Sequence, residues 1–91
     1  MSNENLPEPH PRKTEGLEIH TVGDQVAVYD TMADQLHYLN PTAALVLDLC
    51  DGSHSAAEIA ALVQEAYGLD ANPLTEITNC VADLKQTGLV L

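Results

Sequence analysis

Lysine and arginine are nearly missing from this chain: three stand against 14 aspartates and glutamates in 91 residues, for a formal net charge of −11 at pH 7. Glu4, Glu8, Arg12 and Lys13 cancel, so the whole net charge falls on residues 15–91, where Lys85 is the one Lys or Arg. Affinity for nucleic acid comes mainly from Lys and Arg releasing counterions from phosphates, which argues against a nucleic-acid partner. A winged-helix DNA binder is disfavoured on the same ground, because the last helical stretch sets Lys85 against Glu76 and Asp83. A basic peptide or protein surface is the better electrostatic match.

Long apolar runs are lacking too. No stretch reaches the roughly 20 apolar residues that span a bilayer. The opening MSNENLPEPHPRK is polar where a signal peptide would be hydrophobic. No membrane partner and a cytoplasmic location are expected. Cysteine is confined to Cys50 and Cys80, far apart and each within an apolar helical pattern; buried reduced thiols are expected, not a metal pair or CxxC motif. His10, His20, His37 and His54 include no helical i, i+4 pair, so no metal site is read. The five glycines are single and sit at boundaries, which leaves no phosphate-cradling loop. Ser53 and Ser55 flank His54, but a turn and a helix cap account for both hydroxyls. No catalytic residue and no cofactor is read, and the protein is not expected to be an enzyme.

What is present is a clear succession of elements. Residues 1–16 hold Pro7, Pro9 and Pro11 among polar residues and read as a disordered Pro-rich arm, leaving 17–91 as one domain. So small a core buries only about 60% of the unfolded chain's surface, and a partner would add stability. LEIHTV (17–22) and QVAVYD (25–30) flank Gly23-Asp24 and predict a hairpin; TMAD then turns into QLHYL (35–39), a third strand. In HYLNPTAALVLDLCDG, Asn40-Pro41 is a cap followed by a proline at the first helical position, so a largely apolar helix is expected to Asp51, with Gly52 ending it. Ser55-Ala56-Ala57-Glu58 is a capping box for a helix over 56–67, with Ile59, Leu62, Val63, Ala66 and Tyr67 on one side and Gly68 as its stop. Asn72-Pro73 predicts a third helix by the same capping logic. Along it Leu74, Ile77, Val81, Leu84 and Gly88 form one stripe, and LVL (89–91) adds a short extended segment.

Three strands followed by three helices make an α+β domain of order βββααα, with the helices on one side of a three-stranded antiparallel sheet. The third strand would then keep one unpaired edge, and residues 35–39, the groove toward a neighbouring helix and the acidic surface around it are the candidate binding surface. If the His37 N–H faces outward, a proline there would block a guest strand.

LNPTAALVLDLCDG, the Ser-capped SAAEIAALVQEAYG and the closing KQTGLVL together resemble the PqqD family, named for a small protein of pyrroloquinoline quinone biosynthesis. The resemblance covers residues 17–91 and is strongest over 39–68. It implies a winged-helix-like, non-catalytic element that binds the leader of a ribosomally made precursor peptide and presents the rest to a modifying enzyme, often a radical S-adenosylmethionine enzyme. It also implies that the leader adds to the third strand and lies toward the third helix. Carried onto this chain, the strand side is Gln35, Leu36, His37, Tyr38 and Leu39, and the helix side draws on Ile77, Cys80, Val81, Leu84 and Lys85. The tryptophan often seen in quinone-pathway members is absent, and YDTMAD replaces a proline-containing turn, so the resemblance points to the family's general role. The competing reading is a structural subunit that pairs its free strand edge with a second copy; as an adaptor, the chain is expected to be a monomer or weak homodimer.

Overall fold

A computed structural model describes residues 10–91. Its elements are β1 (Leu17–Val22), β2 (Gln25–Asp30), β3 (Gln35–Leu39), α1 (Pro41–Leu49), α2 (Ala56–Tyr67) and α3 (Leu74–Gln86). The strands form one antiparallel sheet in the order β1-β2-β3, which makes the βββααα, α+β architecture. The Val22↔Gln25 register closes the β1–β2 hairpin over Gly23-Asp24. The next turn is built by Asp30, whose buried carboxylate accepts the Met32 and Ala33 N–H groups at 3.0 and 3.1 Å. Asp34 then takes the left-handed conformation that lets the chain reverse into β3.

The first two helices start where their caps predict. The Asn40 side chain accepts the Ala43 N–H at 2.8 Å, with Pro41 at the first helical position. Ser55 and Glu58 form the reciprocal box, at 3.2 Å for the Glu58 N–H to Ser55 Oγ and 2.8 Å for the Ser55 N–H to Glu58 Oε1. Gly68 ends α2 in the left-handed conformation, and the Leu69 N–H returns to the Gln64 carbonyl. The buried residues of α2 are Ile59, Ala60 and Val63, whereas Leu62, Ala66 and Tyr67, read as the same side, stand exposed.

Two helix boundaries differ from expectation. Helix α1 stops at Leu49, short of Asp51, because the Cys50 carbonyl is taken by the Lys13 N–H at 2.7 Å. Helix α3 starts at Leu74 with Pro73 in the cap position and no side-chain capping bond, so Asn72 does not cap it. Glu76 in its first turn is the compensating feature, a negative charge at the positive end of the helix.

The N-terminal segment also differs. Of the arm read as 1–16, residues 1–9 lie outside the described residues, and Pro11 to Thr14 are docked. The Gly52 N–H bonds Pro11, Lys13 bonds Cys50, Thr14 bonds Leu89, and the Leu91 N–H returns to Arg12. Two isolated bridges, Arg12↔Asp51 and Lys13↔Val90, record the same clasp, which ties the α1–α2 loop to the extended LVL segment.

The core lies between one sheet face and the helices. Val28 from the sheet meets Val46, Leu47 and Cys50 from α1 and its end, Ile59 and Val63 from α2, Ile77, Val81 and Leu84 from α3, and Leu89 and Val90 beyond it. Complete burial of one such Leu or Ile side chain contributes roughly 1.5–3 kcal/mol. No helix among the described residues is long and apolar enough to cross a membrane.

Candidate functional site

Among the described residues β3 pairs with β2 alone, and its register decides which of its backbone groups are left unpaired. In an antiparallel ladder, hydrogen-bonded pairs alternate with non-bonded ones. The Thr31 N–H bonds Gly16 O at 3.0 Å, which continues the ladder of Leu17↔Asp30 and the tight Val22↔Gln25 pair. Odd-numbered β2 residues therefore point their backbone groups at β1, and Val26, Val28 and Asp30 point theirs at β3. Their partners are Leu39, His37 and Gln35. The N–H and C=O groups of Leu36 and Tyr38 thus face outward on the free edge. The His37 N–H faces β2, so a proline at 37 would break the sheet rather than block a guest.

Side chains alternate as well. His37 and Leu39 share the face of Val28, toward the helices, and Leu36 and Tyr38 lie on the opposite face, more than half exposed. Nε2 of His37 is buried and has no hydrogen-bond partner among the described residues. On that outer face the Tyr29 hydroxyl donates to Asp34, and this bond is the main cause of a raised phenol pKa.

Between the end of β3 and α3 runs a cleft of about 500 Å³. Tyr38 and Leu39 line one side, Asn40 and Ala43 the start of α1, and Glu76, Asn79, Cys80, Asp83, Leu84 and Thr87 the α3 side. Of the residues expected at the site, Tyr38, Leu39, Cys80 and Leu84 come together here. Gln35, Leu36 and His37 lie farther along the strand. Ile77 and Val81 do not reach the cleft: both are core residues, on the adjoining flank of the helix. Lys85 is exposed and lies outside it. Glu76, Asn79, Asp83 and Thr87 are not among the expected site residues, although their spacings of three and four residues mark one helical stripe.

Burial, and next the Asp83 charge, raise the pKa of the Cys80 thiol in this cleft. Cys50, in the core behind it, is pushed up to about 11, first by burial and next by Cys80. Both are free cysteines, Cys50 buried as expected and Cys80 only half-buried.

The Ser53–His54 pair does not assemble a nucleophile. His54 Nδ1 lies 3.2 Å from each of Asp51 Oδ1, the Leu49 carbonyl and Ser53 Oγ, so it is engaged within its own turn. Ser53 Oγ donates to Asp51 at 2.5 Å, and its N–H donates to the same oxygen at 2.9 Å. These Ser53 bonds lower the Asp51 pKa to about 2. Among the described residues no three His, Cys, Asp or Glu side chains are grouped to hold a metal ion.

No curated protein matches the chain significantly. A solved structure described as "Lasso peptide synthetase B1 complexed with the leader peptide" shares the fold, with a TM-score of 0.72 at 23% identity, over 90% of this chain and 98% of that one. Residues 25–90, from the start of β2 to the last bridge, match the family described as "Coenzyme PQQ synthesis protein D (PqqD)". With βββααα order, a third strand at the edge of the described sheet and a cleft against the third helix, the chain belongs to the PqqD family.

Proposed function

We propose that the protein is a non-catalytic adaptor that binds the leader of a ribosomally made precursor peptide by strand addition and presents the remainder to a modifying enzyme, such as a radical S-adenosylmethionine maturase. The observation that carries this reading is the outward-facing backbone of Leu36 and Tyr38 beside the cleft. A guest strand there gains main-chain hydrogen bonds that make little demand on its sequence. Its alternate side chains would enter the cleft or lie along Leu36 and Tyr38, and these set specificity. Family membership supports the reading, as does a fold neighbour solved with a leader peptide. A flexible leader loses entropy when it orders, so an affinity near micromolar, about −8 kcal/mol, suits recruitment followed by release.

Leu36→Pro tests it. Proline is tolerated on an edge strand where its missing N–H would face solvent. The variant should fold and lose binding of peptides selected from a displayed library, while Leu36→Thr, which keeps the N–H, should retain it. Equal binding by folded Leu36→Pro would mean that the guest pairs elsewhere.

A further inference from the structure

The cleft is chemically two-layered. Leu39, Ala43, Cys80 and Leu84 form a half-buried or buried apolar floor, and Glu76 and Asp83 stand exposed along the α3 side. Neither carboxylate forms a salt bridge among the described residues, and Lys85, the nearest cation in sequence, does not line the cleft. Asp83 is moreover close to the C-terminal end of α3, where the helix dipole disfavours a negative charge. Its place there has no account in the stability of the helix.

A long side chain with an apolar stem and a cationic head satisfies both layers at once, the stem on the floor and the head toward the acidic α3 side. Leucine would cover only the floor, and a carboxylate would meet like charge. We infer that the guest strand is selected for Lys or Arg at the position that projects into this cleft, with Glu76 and Asp83 as its specificity-determining partners. This rests on the strand-addition reading. That reading requires only a backbone, whereas this one specifies a side chain.

The test is to pan a displayed library of random peptides on the full chain and on its Glu76→Gln/Asp83→Asn variant. Amide shifts of Leu36 and Tyr38 then report whether a selected peptide occupies the edge. Peptides selected by the native chain should share a Lys or Arg. Replacing it by Gln, or using the variant, should weaken binding about tenfold each, with little further loss when both are combined. The reversed Glu76→Lys/Asp83→Lys chain should select Asp or Glu at the same position. Peptides that move both amides yet bind all forms equally would overturn the charge preference and leave strand addition standing. If no selected peptide moves those amides, both readings fall.

Discussion

Two residues isolate what single groups contribute. Nε2 of His37 is buried without a partner, and an unsatisfied buried polar atom destabilises a fold by about 1–3 kcal/mol. His37→Leu removes that atom and keeps an apolar side chain facing the core, so a gain of about 1 kcal/mol in urea unfolding is expected. Because the His37 backbone is paired with β2, peptide binding at the edge should survive the change. A loss of stability would mean that the imidazole packs better there than leucine and that its unpaired nitrogen costs little. Asp51 supplies the pH-dependent counterpart. Its folded pKa is lowered from 3.8 to about 2, chiefly by the Ser53 hydroxyl. The associated stability is therefore complete above pH 3.8 and lost as pH falls through about 2. In Ser53→Ala the carboxyl should titrate closer to its ordinary value, followed by NMR of the side-chain carbon. An unchanged Asp51 titration would assign the lowering to another group.

At the scale of elements, what could be read in advance was whatever is encoded by near neighbours. Asn40 with Pro41, and Ser55 with Glu58, satisfy helix ends within a single turn, and both starts were legible. The end of α1 was not, because the Cys50 carbonyl is claimed by Lys13, a segment remote in sequence that carries no periodic pattern of its own. The site divides in the same way. The stripe of Ile77, Val81 and Leu84 follows from spacing, but which flank meets β3 depends on the rotation of α3 against the sheet, and periodicity holds no information on that. The N-terminal clasp makes its own prediction. Gly52 is in the left-handed region, and an added Cβ would come within 2.6 Å of the Arg12 guanidinium, whereas at left-handed Gly68 it would meet nothing within 4 Å. Both alanine variants bear the backbone strain of about 1–2 kcal/mol. Only Gly52→Ala also forces the exposed Arg12 guanidinium aside, so it should unfold at slightly lower urea than Gly68→Ala. Equal midpoints would mean that Arg12 swings away freely.

For the whole molecule, the free edge of β3 admits two kinds of occupant, and charge separates them. Two copies of a chain carrying −11 repel as they approach, since the Debye length is about 10 Å at 0.1 M salt. Edge-to-edge pairing of two such chains would therefore be weakest at low ionic strength and strengthen as salt is added. A basic guest strand behaves in the opposite sense: its attraction is greatest at low salt and fades as salt screens it. Sedimentation across a range of protein concentrations and salt should thus give a monomer at low salt, while the affinity for a Lys- or Arg-bearing peptide is at its highest there. Leu36→Pro, which removes an outward donor, should abolish peptide binding and any high-salt dimer alike, because both use one edge. A dimer already formed at low salt and untouched by Leu36→Pro would place the self-contact on another face and leave β3 to the peptide. A low-salt dimer that Leu36→Pro dissolves would give the edge to a second copy, and the adaptor reading would give way to a structural subunit.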